Sequence, residues 1–166
     1  MKKIKNVKLI LTDVDGVLTD GGRYFSKNGE ELKKFHTRDG MGVNLLLRNG
    51  IKTAIVTKEK SSITKKWAIE MNVAKTYSGV IFKEKILSKI CTDFKVNPNE
   101  IGYIGDDVND IELLKKVGFS ACPHDGSSFT KKSVDYVCKI DGGQGSFREI
   151  ADLILSTKFP SKNKWY

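Results

Sequence analysis

Short apolar runs alternate with helical patterns along almost the whole chain, and this alternation restricts the fold more than any other feature. The runs VKLILT (7–12), IKTAIVT (51–57) and IGYIG (101–105) are compact, rich in β-branched residues and bounded by turn signals. Such runs are typical of strands that are buried on both faces of a parallel sheet. Strands that alternate with helices predict an α/β fold, here a three-layer Rossmann-like parallel sheet with helices on both faces.

Capping residues and helix breakers indicate the remaining elements. Asp39 is predicted to cap a helix that ends at Asn49-Gly50, and Ser61 or Ser62 to cap a second helix. The other predicted elements are a strand at 73–77, helices at 82–94 and 111–117, strands at 119–122 (FSAC) and 135–138 (DYVC), and a last helix that begins at Ser146 and frays from Thr157 onward.

The segment after the first strand departs from this alternation. Asn28-Gly29 is a hairpin turn signal, and the stretches RYFS and LKKF flank it. We therefore predict a β-hairpin flap at about 17–36 that overhangs the carboxyl edge of the sheet. The whole chain, 1–166, is predicted to be a single domain with this flap and a C-terminal tail at about 157–166.

The composition indicates a soluble globular protein, with 39% hydrophobic and 30% charged residues. No apolar run approaches the roughly 20 residues that span a bilayer, and the first apolar run ends in acidic residues rather than a signal-peptide cleavage site. Cys91, Cys122 and Cys138 are scattered and form no CxxC pair, which favours reduced thiols and argues against a zinc site. We predict a cytoplasmic protein without a membrane segment.

The chain carries a formal net charge of +9. Its lysines are spread along the sequence, without a dense basic run or an interleaved aromatic stacking motif. Nucleic-acid binding is therefore not predicted. A positive field of this kind would also attract a small anionic metabolite, and we favour that interpretation.

Two acidic clusters follow predicted strands, where ligands of open α/β sheets bind. Asp13 and Asp15 follow the first strand at positions i and i+2, so their carboxylates can turn towards one point and bind a hard cation. In the later cluster GDDVND, Asp106, Asp107 and Asp110 repel one another unless a positive group lies among them. Either cluster alone is also compatible with an acidic turn or a helix cap. Together they favour a Mg²⁺ site.

Two further polar residues follow predicted strands. Thr57 ends the strand IKTAIVT and offers a hydroxyl donor to a phosphate oxygen, although an ordinary β-branched strand residue would look the same. Lys83 can neutralise charge on a transferring phosphoryl group, although most lysines in so basic a chain lie on the surface. The case for both residues depends on the two acidic clusters.

The order DxDG, Thr, Lys and GDDxxD resembles the motif order of the haloacid dehalogenase superfamily. The segments DVDGVLTDG, FHTRDGMG and GGQGSFREI extend the resemblance to the capless subfamily of 3-deoxy-octulosonate 8-phosphate phosphatases. That group also contains phosphatases of nine-carbon sialic-acid-type sugar 9-phosphates. The resemblance implies a Mg²⁺-dependent phosphatase without a large cap domain that acts through an aspartyl-phosphate. Its implied substrate is 3-deoxy-D-manno-octulosonate 8-phosphate, a sugar acid of lipopolysaccharide biosynthesis.

The resemblance also implies roles for individual residues. Asp13 is expected to be the nucleophile, and Asp15 to protonate the leaving alcohol and then activate water. Asp13, Asp15 and Asp106 are expected to hold Mg²⁺, while Asp107 and Asp110 orient the ligands and water. Thr57 and Lys83 are expected to hold the phosphate. Candidates for substrate binding are Arg38, Asp39, Gly40, Lys58, Glu59, Lys60 and Arg148, and the two arginines are equally compatible with surface or interface positions.

The motif that begins at Thr57 departs from the family pattern. Lys58 stands where the family has glycine, so it is either strained by a positive φ or part of a reshaped, more positive loop. Glu59 stands where octulosonate phosphatases have an arginine that suits an anionic substrate end. Because a glutamate accepts hydrogen bonds from hydroxyl or amide groups, Glu59 keeps the nine-carbon sugar phosphate open as the alternative substrate.

The resemblance further implies a homotetramer in which the flap and tail help to close neighbouring sites. Three other functions share single features with this sequence. A non-catalytic interaction domain would be expected to lack the nucleophile, whereas Asp13 is present. A phospho-acceptor receiver carries its phosphorylated Asp on a later strand, and a nucleic-acid 3′-phosphatase is favoured only by net charge.

Overall fold

A parallel sheet of six strands forms the centre of the protein. The structure, a computed structural model, describes residues 2–161. Its strands are β1 (Leu9–Thr12), β2 (Tyr24–Ser26), β3 (Gly29–Leu32), β4 (Lys52–Val56), β5 (Lys75–Tyr77), β6 (Ile101–Ile104), β7 (Phe119–Cys122) and β8 (Tyr136–Val137). The order across the large sheet is β5-β4-β1-β6-β7-β8, and every neighbouring pair is parallel. The predicted fold class is confirmed.

Seven helices cover the two faces of the sheet within the described part of the chain. They are α1 (Lys2–Lys5), α2 (Thr37–Arg48), α3 (Ser62–Glu70), α4 (Leu87–Phe94), α5 (Ile111–Leu114), α6 (Ser128–Lys131) and α7 (Ser146–Lys158). The sequence did not predict α1 or α6, and the helix predicted at 82–94 begins as a 3₁₀ turn, Lys83–Ile86. None of the helices between residues 2 and 161 is long and apolar enough to cross a membrane.

Several predicted helix boundaries match the structure, among them the end of α2 at Asn49 and the start of α7 at Ser146, and three do not. Ser61 caps α3 as predicted, because its hydroxyl accepts a hydrogen bond from the amide of Thr64. Asp39 does not cap α2; His36 does, and Asp39 lies buried within the first turn. The helix predicted to reach residue 117 already ends at Leu114. The last helix continues to Lys158 rather than fraying from Thr157, and residues 162–166 of the predicted tail lie outside the described residues.

The predicted hairpin is present, but its second strand begins earlier than expected. β2 and β3 are antiparallel, and Ser26 pairs with Gly29 across the turn. Gly29 adopts a φ of 109° and is already the first paired residue, so the second strand is GEEL rather than LKKF. A positive φ suits glycine because it has no Cβ. β3 ends at Leu32, and Lys33 follows it.

Two hydrophobic clusters fill the space between the sheet and its helices. Successive strand residues point to opposite faces, so Ile10 packs on the side of α2 and α7 while Leu9 and Leu11 pack on the side of α4 and α5. All four residues of β1 and all four of β6 are buried, as is typical of a parallel sheet covered on both faces.

The order of the strands determines where ligands can bind. β1 lies between β4 and β6, so the chain leaves β1 towards one half of the sheet and returns on its other side to form the second half. At such a switch point the loops after the strands separate and leave a crevice at the carboxyl edge. Asp13 follows β1, Thr57 follows β4 and Gly105 follows β6, so the predicted motifs meet at this crevice.

We predict that two neighbouring leucines of α2 differ sharply in their contribution to stability. Leu46 is fully buried between α2 and the sheet, whereas Leu47 is 40% exposed. Leu46→Ala should lower the free energy of unfolding by about 2–5 kcal/mol because it leaves a cavity, while Leu47→Ala should change it by less than about 0.5 kcal/mol. Urea unfolding of both variants measures the difference, and equal losses would contradict the described orientation of α2.

Candidate active site

A cleft of about 270 Å³ opens at the carboxyl ends of β1, β4 and β6. Its lining residues come from the predicted motifs and from the flap: Asp13, Asp15, Gly16, Gly21, Arg23, Thr57, Lys58, Glu59, Asp106, Asp107 and Asn109. A larger cavity of about 590 Å³ runs beside it along α3, and the two share Thr57 and Glu59. Because the aspartates of the two acidic clusters line the smaller cleft and not the larger cavity, we identify the smaller cleft as the candidate active site.

A buried lysine connects the two acidic clusters. Lys83 is fully buried, and its Nζ lies 2.5 Å from Oδ2 of Asp13 and 2.5 Å from Oδ1 of Asp110. Burial alone would lower the pKa of Lys83, but the charges of Asp13 and Asp110 raise it above its ordinary value. The ammonium group therefore stays charged. The structure brings Lys83 to Asp13 as the motif order predicted.

Asp110 organises the loop after β6. Its Oδ2 accepts hydrogen bonds from the backbone amides of Asp106 at 3.0 Å and Asp107 at 3.2 Å. Its Oδ1 accepts a hydrogen bond from the hydroxyl of Tyr103 at 2.5 Å. Burial and the charge of Asp110 raise the pKa of Tyr103 well above its ordinary value, so the phenol remains a donor. Asp110 thus fixes both the acidic loop and Lys83.

Three carboxylates lie close enough to share a metal ion. Oxygen atoms of Asp13, Asp106 and Asp110 lie within 4.8 Å of one another. Burial raises the pKa of Asp13 to about 7, and the charge of Asp110 adds to this shift. Burial raises the pKa of Asp106 to about 8, with further contributions from Asp13 and Asp110. Buried carboxylate oxygens that repel one another in this way are suited to a hard divalent cation, because its charge would relieve their repulsion.

Gly16 allows the two acidic clusters to come together. It has a φ of 83°, and a Cβ at this position would overlap the carboxylate of Asp106. Any side chain would therefore be both strained and in collision with the candidate metal ligand. The glycine of the DxDG motif is explained by this close approach.

Asp15 differs from Asp13 in its surroundings. Its carboxylate lies outside the group that could share a metal among the described residues, and its predicted part in the ligand set of Asp13, Asp15 and Asp106 stays a prediction. It pairs instead with Lys33, which follows β3 of the flap. On the other side of the flap, Arg23 pairs with Glu59 at 3.4 Å. The flap therefore contacts both the β1 loop and the β4 loop.

The loop after β4 begins with the buried Thr57, whose hydroxyl accepts a hydrogen bond from the amide of Glu59 at 3.3 Å. Lys58 is exposed and lines the cleft, and its φ is not positive. Of the two predicted alternatives, strain at Lys58 is therefore wrong, and a reshaped loop with added positive charge fits. Lys60 lines the larger cavity beside Gly79 rather than the cleft.

Four predicted substrate-binding residues lie away from the cleft of their own protomer. Arg38 and Arg148 line a separate cavity of about 390 Å³ beside α7, and Nε of Arg148 pairs with Asp152 at 2.8 Å. Asp39 is buried and accepts a hydrogen bond from the amide of Arg148 at 2.9 Å, which ties α2 to the start of α7. Gly40 packs against Met71. These four residues therefore do not line this cleft, and their part in substrate binding stays a prediction.

Sequence reasoning missed three residues of the site, namely Tyr103, Arg23 and Lys33. Tyr103 had a usable signal, because its hydroxyl is the one polar side-chain group in the strand IGYIG. Arg23 and Lys33 belong to a segment whose pattern indicates only a hairpin, in a chain with 29 Lys and Arg residues. Nothing in the local sequence distinguishes them from surface charges.

Comparisons with known proteins agree with this site. A sequence model of haloacid dehalogenase-like hydrolases matches residues 49–145. The 3-deoxy-D-manno-octulosonate 8-phosphate phosphatase KdsC of Escherichia coli K12 is 37% identical over 92% of this chain and 81% of its own length. The KdsC of Haemophilus influenzae is 34% identical over 95% of this chain and 87% of its own length.

The solved structures that resemble this chain include phosphatases of the same kind as these sequence relatives. The cobalt-bound phosphatase of Haemophilus influenzae superposes with a TM-score of 0.92 at 35% identity, covering 94% of this chain and 91% of that one. The Moraxella catarrhalis 3-deoxy-D-manno-octulosonate 8-phosphate phosphatase, solved with magnesium, phosphate and KDO, gives a TM-score of 0.91 at 31% identity, covering 96% and 93%. With these matches and the site described above, the chain belongs to the haloacid dehalogenase-like hydrolase family.

Proposed function

We propose that this chain is a Mg²⁺-dependent phosphatase that hydrolyses 3-deoxy-D-manno-octulosonate 8-phosphate to the free sugar acid and phosphate. The observation that carries the proposal is the buried contact of Lys83 with Asp13 and Asp110, next to a cleft that Asp13 and Asp106 line. The names and bound ligands of the relatives support the choice of substrate.

The carboxylates of Asp13 and Asp106 would hold Mg²⁺. Both line the cleft, whereas Asp110 is fully buried and is engaged by Lys83, Tyr103 and two backbone amides. Asp110 therefore orients the site, and exposed Asp107 caps the 3₁₀ turn that follows through the amide of Val108. Bound Mg²⁺ supplies positive charge that offsets repulsion between the anionic nucleophile and the anionic phosphate.

The mechanism divides the work between the two carboxylates of DxDG. Asp13 attacks phosphorus while the bond to the sugar oxygen breaks, and Asp15 gives its proton to that oxygen. Asp15 then takes a proton from water as the water oxygen attacks the aspartyl-phosphate, which releases phosphate and regenerates Asp13. Thr57 lines the cleft and holds a phosphate oxygen, while Lys83, buried beside Asp13, acts on the phosphate as a fixed positive charge.

The nine-carbon alternative rested on Glu59, and we do not retain it. The carboxylate of Glu59 pairs with Arg23 at 3.4 Å, so the flap already engages the group that was expected to read a sugar hydroxyl or amide. The relatives described above are octulosonate 8-phosphate phosphatases. A non-catalytic role also lacks support, because the nucleophile, the lysine and the acidic loop are all in place.

A homotetramer in the cytoplasm is part of the proposal. Tyr24, Phe25 and Leu32 of the flap are 56%, 61% and 62% exposed, and an apolar patch of this kind favours contact with another copy. Arg38 and Arg148 lie outside their own cleft, which is consistent with a role at the site of a neighbouring protomer. The three free thiols fit a reducing compartment.

The reaction is tested by phosphate release from octulosonate 8-phosphate and from nine-carbon sugar 9-phosphates. With Mg²⁺ we expect rapid release from the eight-carbon ester, abolished by EDTA and reduced at least about 10³-fold by Asp13→Asn because the nucleophile is lost. Asp93→Asn is the control, since Asp93 lies on α4 and pairs with Lys75. Turnover that survives EDTA or Asp13→Asn would refute the mechanism.

Mg²⁺ affinity should depend steeply on pH. In the metal-free enzyme the pKa of Asp13 is raised to about 7 and that of Asp106 to about 8, so both are protonated in acid and must lose protons to bind the ion. The Mg²⁺ dissociation constant should rise as the pH falls from 8.5 to 6.5, by about tenfold per pH unit for each carboxylate below its pKa. Calorimetric titration with Mg²⁺ at several pH values between 6.5 and 8.5 measures the dissociation constant. Repeating it in two buffers of different ionisation enthalpy measures the protons released. An affinity independent of pH would contradict the prediction.

The tetramer should depend on the exposed aromatic residues of the flap. Phe25→Glu places a charge in the proposed contact, so light scattering should detect smaller species than the wild-type tetramer. The matched control is Phe129→Glu, because Phe129 is similarly exposed, at 66%, and belongs to α6 rather than to the flap. A wild-type monomer, or a tetramer that persists in Phe25→Glu, would refute the assembly.

A further inference from the structure

A lysine of the flap reaches the acid/base carboxylate of the cleft. Lys33 follows β3, and its side chain is 0% exposed even though most of the hairpin is open to solvent. Its ammonium group donates to Oδ1 of Asp15. A lysine is buried in this way only when its charge is paired, so the contact fixes where this part of the flap lies.

The two oxygens of Asp15 have different surroundings. Oδ1 faces Lys33 and also the hydroxyl of Thr19 at 3.4 Å. Oδ2 accepts no hydrogen bond from any residue that the structure describes, and Asp15 lines the cleft. One oxygen is therefore anchored, and the other is available to a substrate.

We propose that Lys33 is a positioning residue for general acid/base catalysis by Asp15. By binding Oδ1 it leaves Oδ2 as the oxygen that carries the proton. Oδ2 gives this proton to the leaving sugar oxygen as the phosphorus–oxygen bond breaks, and later takes one from water as the water oxygen attacks phosphorus. The inference rests on the proposed function, because it assigns a part in that same reaction.

The contact also explains how two carboxylates two residues apart keep separate roles. Lys83 holds Asp13 beside Asp106 and Asp110, while Lys33 draws Asp15 to the flap side of the cleft. Without Lys33, the Asp15 side chain would be free to rotate, and its negative charge would have no fixed partner. Misplacement of a general acid by about 1 Å reduces its contribution greatly, so the flap becomes part of the catalytic apparatus.

The test compares leaving groups, because only a poor leaving group needs a proton. The variant Lys33→Met keeps the length of the side chain and removes its charge. We would measure kcat/KM with Mg²⁺ for octulosonate 8-phosphate, phenyl phosphate and p-nitrophenyl phosphate. Each kcat/KM value reports only the steps from substrate binding to the departure of the alcohol, which is where Asp15 gives its proton. The matched control is Lys34→Met, since Lys34 pairs with Asp20 at the surface at 3.2 Å.

For Lys33→Met we expect a loss of about 10²-fold for the sugar ester, an intermediate loss for phenyl phosphate and less than about 3-fold for p-nitrophenyl phosphate. Lys34→Met should leave all three within about 3-fold. Equal losses on all esters would indicate a merely structural role and overturn the inference, as would no loss on any ester.

The inference and the proposed function fail in different ways. If the wild-type enzyme hydrolyses both aryl esters but not the sugar ester, the proposed substrate is wrong, and the ratio of phenyl to p-nitrophenyl phosphate still tests Lys33. If the wild-type enzyme hydrolyses no ester with Mg²⁺, both proposals are wrong.

Discussion

The buried ammonium group of Lys83 is the interaction on which the site depends. It joins Asp13 after β1 to Asp110 after β6, although 70 residues separate Lys83 from Asp13 in the sequence. Removing one partner of a buried ion pair typically lowers stability by about 3–5 kcal/mol, because the remaining charge stays desolvated. The same contact thus holds two strand ends together and places the candidate nucleophile. Stability and function are coupled at this residue.

The charges around Lys83 also account for the metal. Asp13, Asp106 and Asp110 would carry three negative charges against the single positive charge of Lys83, and oxygens of all three lie within 4.8 Å. This excess of negative charge, together with burial, raises the pKa values of Asp13 and Asp106. A divalent cation restores the balance without disturbing the hydrogen bonds of Asp110. The metal-binding property therefore follows from the same buried network that stabilises the loop after β6.

The flap adds the second half of the site. It is anchored by Lys33 on Asp15 and by Arg23 on Glu59, so it bridges the loops after β1 and β4. The exposed aromatic residues at its outer end leave it suited to contact with a further copy of the chain. No large cap domain lies over the cleft in the described part of the chain, and the flap contributes Gly21 and Arg23 to its lining.

The sequence by itself determined the order of the strands and of all the described helices except the short α1 and α6, the presence of the hairpin, and the convergence of Asp13, Thr57, Lys83 and Asp106. It could do so because parallel strands bring their carboxyl ends to one edge, and the motifs follow those ends. Only the tertiary structure decided that Asp110 rather than Asp15 joins the carboxylate cluster, that Lys33 holds Asp15, and that Asp39 ties two helices instead of capping one. These outcomes depend on which side chains the packing brings together across long stretches of chain, and local sequence carries no record of such distances.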